Sequence, residues 1–197
     1  MSYIINSISV FCGSSMGSDS AFYKKAKEVG TFMAEQKVTV VYGGARVGLM
    51  GAVAEGALSK GGEVIGVIPT FLTSKEIAHD GLTKLITVNT MQERKTKMSD
   101  LSDAALILPG GFGTLDEMFE LLTWGQLGLH KKPIGLLNVN NFWDPLVACI
   151  DKMVESNLLR YSHRNMLIVG NDLPTLFEAM KVYEAPHKAK WMEKNQV

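Results

Sequence analysis

The residues best suited to chemistry in this sequence lie in one run, Pro109-Gly110-Gly111-Phe112-Gly113-Thr114-Leu115-Asp116-Glu117. Its three glycines expose backbone N–H groups to an anion, because no Cβ stands in the way. An apolar run precedes the glycines and an amphipathic helix follows them, and the positive end of that helix dipole favours a negative ligand. The pattern predicts a strand, a phosphate-sized loop through Thr114, and a helix that carries Glu117 beside the ligand.

The role of Glu117 has two interpretations. The stretch from Thr114 to Glu117 matches T-x-x-E, the signature of a capping box, in which Thr114 caps the helix and Glu117 bonds back to its first N–H. On residue type alone, capping is the stronger interpretation. The catalytic interpretation is that Glu117 faces neutral sugar hydroxyls or a developing cation, because a carboxylate repels the phosphate itself. The two roles are compatible at different stages of a reaction.

A second candidate pair, Arg94 and Lys95, opens the preceding helix. Positive charge at a helix start is mildly unfavourable against the dipole, so these side chains are expected to have partners. One interpretation is a surface salt bridge to Glu93 or Asp100. The functional interpretation is an arginine fork on a phosphate or on a leaving group, with the lysine as supporting charge.

Two earlier loops contribute further candidates, Ser14 in the first and Gly43 and Gly44 in the second. Neither glycine loop of the chain has the G-x-G-x-x-G order of dinucleotide sites, and Leu49 stands where a P-loop requires lysine. Triphosphate chemistry is therefore disfavoured, whereas a monophosphate held by backbone donors remains open. The alternative is that the glycines only make tight turns, which explains one loop more readily than two at one sheet edge.

These loops need a scaffold, and the sequence supplies alternating strands and helices. Strands are predicted at residues 7–11, 38–42, 63–68, 85–88, 105–108, 133–137 and 166–169. Helices are predicted at 20–37, 48–60, 91–98, 115–127, 143–156 and 173–183, with a loop at 69–82. The alternation predicts an α/β fold with a doubly wound, Rossmann-like parallel sheet and helices on both faces. Ligands of such sheets lie beyond the carboxyl ends of the strands, where the three loops are expected to converge.

Length and composition limit the remaining classes of protein. The 197 residues, 46% hydrophobic and 20% charged, predict a single domain with a charged tail over 184–197, within which Trp191 could dock. Zero net charge gives no general surface for nucleic acid or a membrane. The N-terminus matches neither a signal peptide nor a membrane span, which predicts a cytoplasmic protein. Cys12 and Cys149 are expected to be buried, reduced thiols, and the four histidines show no metal-ligand pairing.

The glycine run also fits the P-G-G-x-G-T-x-x-E motif of a known family. Further matches are Phe11-Cys12-Gly13-Ser14-Ser15, Tyr42-Gly43-Gly44, Gly48-Leu49-Met50-Gly51, the segment from Met91 to Lys95, and Leu122-Thr123-Trp124-Gly125-Gln126-Leu127-Gly128. On these residues the chain resembles, over nearly its whole length, the LOG ("lonely guy") family of cytokinin riboside 5'-monophosphate phosphoribohydrolases, formerly labelled lysine decarboxylases.

The resemblance implies hydrolysis of the N-glycosidic bond of an adenosine-type 5'-monophosphate, plain AMP or N6-modified, to the free base and ribose 5-phosphate. It implies a homodimer that works without a metal or other cofactor, with Arg94 and Glu117 as the catalytic pair. The family's substrate contacts fall on Glu76, Arg94, Lys95, the glycine loop through Thr114, and Thr123. The family commonly has M-H-x-R-K, whereas this chain carries Gln92 in place of the histidine.

Two other classes of function stand as alternatives. Proteins of this fold resemble molybdenum-cofactor carriers, which use similar glycine loops without catalysis, although the presence of both Arg94 and Glu117 argues against that class. An amino-acid decarboxylase would require a lysine that forms a Schiff base with pyridoxal phosphate.

Overall fold

The computed structural model describes residues 3–73 and 78–186. Its strands are β1 (Ser7–Phe11), β2 (Thr39–Tyr42), β3 (Val64–Pro69), β4 (Lys84–Val88), β5 (Ala104–Ile107), β6 (Ile134–Leu137) and β7 (Leu167–Gly170). They form one sheet in the order β4-β3-β2-β1-β5-β6-β7, and all neighbouring strands run parallel. The predicted doubly wound parallel sheet is confirmed.

Helices connect the strands and cover both faces of the sheet. They are α1 (Ser20–Glu35), α2 (Gly48–Leu58), α3 (Thr70–Thr73), α4 (Met91–Asp100), α5 (Phe112–Gln126), α6 (Asp144–Glu155), α7 (Tyr161–Arg164) and α8 (Leu173–Lys181), with a 3₁₀ turn at Val139–Asn141. Apolar residues of α1, α2 and α8 form one core layer, and those of α4, α5 and α6 form the other. Each face of the sheet is therefore buried, as a parallel sheet requires.

The strand order reverses between β1 and β5: strands β1 to β4 are added toward one edge of the sheet, and strands β5 to β7 toward the other. Strands β1 and β5 pair in register from Ile8 with Ala104 to Phe11 with Ile107, so they end side by side. Such a reversal opens a crevice at the carboxyl edge, because the connections from the two strands leave toward opposite faces. The loops after β1 and β5 are thus placed where this fold binds ligands.

Most predicted boundaries agree with the structure to within two residues, and the exceptions are two short helices and the start of α5. The predicted loop at 69–82 begins with the four-residue helix α3, and α7 was not predicted. Each has a single turn, which is too short to show the helical spacing of apolar residues. Helix α5 begins three residues before its predicted start at 115, at the glycine motif itself.

The two cysteines differ in exposure. Cys12 is buried and burial raises the pKa of its thiol, but Cys149 is exposed, so its predicted burial is wrong. Cys149 precedes Ile150, the buried residue of α6, and therefore points away from the core. None of the described helices is long and apolar enough to cross a membrane. Trp191 and most of the predicted tail lie outside the described residues.

Candidate active site

The loops after β1, β2 and β5 interlock at the carboxyl edge of the sheet. Gly13 donates its N–H to the Pro109 carbonyl at 3.0 Å, and the Leu49 N–H donates to the Gly13 carbonyl at 3.1 Å. Gly48 has a φ of +59°, and a Cβ on it would stand 2.3 Å from the carbonyl of Ser14. The three loops therefore converge as expected, and some of their glycines serve this packing.

Helix α5 begins with Gly111 as its N-cap residue, and no side chain of the described residues caps it. Thr114 lies inside the first turn, so the capping box predicted for Thr114 and Glu117 is wrong. The same T-x-x-E pattern caps α4, where Thr90 Oγ1 accepts a hydrogen bond from the N–H of Glu93 at 3.0 Å. The first N–H groups of α5 are therefore left for a ligand, and an open helix start is a ready anion site.

The glycines of the motif divide into two kinds. A Cβ on Gly110 would stand 2.1 Å from Thr114 Oγ1, so packing against the buried Thr114 side chain requires that glycine. Nothing lies within 4 Å of a Cβ on Gly111 or Gly113, and neither has a positive φ. The described fold does not require these two glycines, so their position at the helix start favours a ligand that approaches the backbone closely.

Arg94 and Glu117 meet just inside this helix start. Arg94 Nη2 lies 3.8 Å from Glu117 Oε1, and the two side chains are only 11% and 10% exposed. The guanidinium covers Gly43, where a Cβ would stand 1.9 Å from Nη2. Burial raises the pKa of the Glu117 carboxyl to about 7, although the charge of Arg94 opposes the rise. A carboxyl group that changes protonation near neutral pH suits acid–base chemistry.

Lys95, the neighbour of Arg94, is held by two carboxylates of α5. Its Nζ lies 3.1 Å from Asp116 Oδ2 and 3.0 Å from Glu120 Oε2, and its side chain is 12% exposed. Burial lowers the pKa of Lys95, but its hydrogen bonds to Glu120 and Asp116 outweigh burial and raise the pKa overall. The salt bridges predicted within α4 are wrong, because the described ion pairs of both basic residues reach across to α5.

A cavity of about 300 Å³ opens beside the glycine motif. Ser14, Gly110 and Gly111 line its polar side, and Phe22 and Phe142, in edge-to-face contact at 5.4 Å, line its apolar side. The buried ion pair is not part of this lining. The motif therefore borders the cavity directly, and Glu117 of the ion pair follows on the helix that the motif begins.

The remaining predicted contacts lie in different places. Gly44 has a φ of +74° and its carbonyl accepts the His79 N–H at 3.0 Å, so it shapes the second loop. Glu76 lies outside the described residues. Thr123 lines a separate cavity of about 200 Å³, and its hydroxyl donates to the Phe119 carbonyl at 2.7 Å. The predicted residues found at the carboxyl edge are Ser14, Gly43, Gly44, Arg94, Lys95, Gly110, Gly111, Gly113, Thr114 and Glu117.

Sequence reasoning missed Glu120. This residue accepts a hydrogen bond from Gln92 Nε2 at 3.1 Å in addition to its ion pair with Lys95. The signal was present, because Asp116 and Glu120 are four residues apart and so share one side of α5. Their basic partner could be identified only after α4 had been placed against α5.

Most of this chain is similar in sequence to known proteins. The family model described as "Possible lysine decarboxylase" matches residues 50–180. A probable cytokinin riboside 5'-monophosphate phosphoribohydrolase of Oryza sativa subsp. japonica is 44% identical over 176 residues, which cover 89% of this chain and 78% of the relative. A cytokinin riboside 5'-monophosphate phosphoribohydrolase of Rhodococcoides fascians is also 44% identical, with 89% of each chain covered.

Solved structures share the fold at lower identity. The molybdenum cofactor binding protein of Rippkaea orientalis superposes with a TM-score of 0.68 at 22% identity, covering 91% of this chain and 98% of its own. A Moco carrier protein of Chlamydomonas reinhardtii gives a TM-score of 0.66 at 20% identity, covering 89% and 94%. At such identities the similarity shows the fold alone. The sequence relatives carry the assignment, and the chain belongs to the LOG family of cytokinin riboside 5'-monophosphate phosphoribohydrolases.

Proposed function

We propose that this chain hydrolyses the N-glycosidic bond of adenosine-type nucleoside 5'-monophosphates, plain or N6-substituted, to the free base and ribose 5-phosphate. The observation that carries the proposal is the buried Arg94–Glu117 pair beside the uncapped start of α5. The curated relatives are named as phosphoribohydrolases of cytokinin riboside 5'-monophosphates. The site offers separate places for a phosphate and for a ribose, which is what such a substrate requires.

The phosphate is assigned to the start of α5. The backbone N–H groups of residues 112–114 have no intrahelical acceptor, and Gly111 and Gly113 leave room for phosphate oxygens to reach them. The helix dipole adds a favourable charge interaction of about 0.3–1 kcal/mol. Ser14 lines the same cavity and supplies a hydroxyl donor.

The ribose is assigned to the side of Glu117. Glu117 follows Gly113 by four positions, so its Cα is about 6 Å further along the helix axis. That separation is comparable to the span of a ribose with its 5' carbon, which supports assigning Glu117 to the glycosidic carbon rather than to the phosphate. Arg94 is held at Glu117, so it too is assigned to the glycosidic bond and the departing base.

The reaction follows from these positions. As the C1'–N bond breaks, its electron pair leaves with the base, and positive charge develops on the ribose ring. The Glu117 carboxylate stabilises that charge, and it accepts a proton from the water whose oxygen bonds to C1'. The departing base takes a proton from the solvent, Glu117 later releases to the solvent the proton that it accepted, and Arg94 stabilises the negative charge that forms on the base before protonation. A pKa near 7 lets Glu117 both accept and release a proton at neutral pH.

The other two classes of function are less compatible with the site. A Schiff-base lysine must lose its proton readily, whereas Lys95 is paired with two carboxylates and its pKa is raised. A carrier needs no buried carboxyl with a pKa near 7, and burying such a group costs stability, so its presence favours a catalytic role.

We propose further that the chain works as a homodimer. Large apolar side chains of α5 and α6 are partly exposed around the cavity that Thr123 lines, among them Phe119 (38% exposed) and Met153 (37% exposed). Leu158 (80% exposed) and Tyr161 (70% exposed) follow α6 in the sequence. An exposed apolar face of this kind is typical of a subunit interface. Light scattering on the purified protein tests it: twice the chain mass supports a dimer, and a single chain mass contradicts it.

Product analysis tests the reaction. The purified protein is incubated with AMP and with N6-isopentenyl-AMP, and free base and ribose 5-phosphate are separated by chromatography. We expect base release by the wild type and none by Glu117→Gln or Arg94→Ala, while Glu178→Gln, an exposed carboxylate on α8 paired with Lys181, keeps wild-type activity. Full turnover by folded Glu117→Gln would refute the assignment, and a ligand-induced thermal shift without product would indicate a carrier.

A further inference from the structure

We propose that Glu120 is a positioning residue of the active site, which together with Lys95 and Gln92 fastens α4 to α5 and so holds Arg94 against Glu117. The inference rests on the function proposed above, because it explains how the two reacting side chains are kept in place. Neither the glycine motif nor the expected substrate contacts include Glu120.

The contacts of Glu120 use both of its carboxylate oxygens. Oε2 lies 3.0 Å from Lys95 Nζ, and Oε1 accepts a hydrogen bond from Gln92 Nε2 at 3.1 Å. Gln92 and Lys95 are three residues apart on α4 and therefore share one side of that helix. Asp116, one turn before Glu120 on α5, contacts the same Nζ at 3.1 Å. Three hydrogen-bonded contacts thus join the consecutive helices α4 and α5.

The Arg94–Glu117 pair does not provide this attachment by itself. Its closest nitrogen–oxygen distance is 3.8 Å, which is longer than a hydrogen bond, whereas the contacts of Lys95 and Glu120 are 3.0–3.1 Å. Arg94 is adjacent to Lys95 on α4, so fixing Lys95 fixes the start of the Arg94 side chain. The outer contacts therefore set the geometry of the inner pair.

The same cluster influences the ionisation of Glu117 from both helices. Arg94 and Lys95 on α4 lower its pKa, and Asp116 and Glu120 on α5 raise it, while burial is the largest influence. The buried thiol of Cys12, at the end of β1, also faces this carboxyl but stays protonated. Loss of Glu120 is therefore expected to lower the pKa of Glu117, and loss of Lys95 is expected to raise it.

Steady-state kinetics with AMP over a range of pH test the proposal. We expect Glu120→Ala to lower kcat about 10- to 100-fold, the size of effect expected when reacting groups are displaced by about 1 Å. KM should change by less than about twofold, because Glu120 is not among the proposed substrate contacts. Glu120→Gln keeps an accepting oxygen and should recover most of kcat. The acid limb of the pH profile, the acidic range over which kcat/KM falls, should move to lower pH in both Glu120→Ala and Glu120→Gln.

Lys95→Met probes the other end of the same attachment and should move the acid limb in the opposite direction, to higher pH. Glu178→Ala, which removes a carboxylate paired with Lys181 on α8, is the control and should change none of these quantities. A Glu120→Ala variant that loses thermal stability but keeps wild-type kcat and pH dependence would overturn the proposal. So would a rise in KM alone. If Glu120→Ala does not fold, the opposite shifts of Glu120→Gln and Lys95→Met decide.

The inference and the proposed function fail in distinguishable ways. If the wild type releases no base, the function is wrong. The inference is then tested by titrating the Glu117 carboxyl with ¹³C NMR on glutamate-labelled protein, using Glu117→Gln to assign the signal. Opposite shifts of that titration in Glu120→Gln and Lys95→Met would still support it, and equal or absent shifts would overturn it.

Discussion

Gly113→Ala is expected to raise the stability of the fold and at the same time to weaken substrate binding. Gly113 lies in the first turn of α5, has no positive φ, and leaves nothing within 4 Å of a Cβ. Alanine in a helix is favoured over glycine by about 0.5–1 kcal/mol, so the variant should be more stable, with a melting temperature about 1–4 °C higher. The added methyl group would nevertheless stand where phosphate oxygens approach the backbone, and losing one charge-assisted hydrogen bond weakens binding by about 1.5–3 kcal/mol.

That loss corresponds to a rise in KM for AMP of roughly 10- to 150-fold. Thermal unfolding and initial-rate kinetics on the same preparation measure both effects. Gly61→Ala is the control with the opposite pattern: Gly61 has a φ of +70° between α2 and β3, so the variant should lose stability and keep its KM. A Gly113→Ala protein with wild-type KM would refute the assignment of the phosphate to the start of α5.

Three further predictions follow from the site. Gly43→Ala pushes against the far end of the Arg94 side chain, so turnover should be lost while the melting temperature changes little; an active variant would contradict this geometry. Gly48→Ala meets the Ser14 backbone at a φ of +59°, so urea titration should show a loss of at least about 1 kcal/mol, and an unchanged midpoint would contradict the close packing. The pKa of Glu117 is raised from 4.5 to about 7, so the free energy of unfolding of the wild type falls as pH rises through this window. The free energy of unfolding of Glu117→Gln relative to the wild type should therefore increase by up to roughly 3 kcal/mol between about pH 5 and pH 8. A difference that stays constant with pH would contradict the raised pKa.

Local sequence signals predicted most of the scaffold. Apolar runs and helical spacing located the seven strands and the long helices, because period and burial are properties of neighbouring residues. The same signals failed for α3 and α7, each a single turn. They also misplaced the start of α5, because T-x-x-E is a capping signature only where the backbone enters a helix at that threonine. Thr90 meets that condition and Thr114 does not.

The sequence by itself determined the residue types of this site: a glycine motif, a carboxylate after it, and a basic pair on the preceding helix. Which groups meet was decided only by tertiary structure, because Arg94 and Glu117 are far apart in the chain and come together through the packing of α4 on α5. The packing also decided which glycines the fold needs, and it raised the pKa of Glu117 by burial. Desolvation and long-range contacts are absent from any local window of sequence, so Glu120 became visible only in the folded protein.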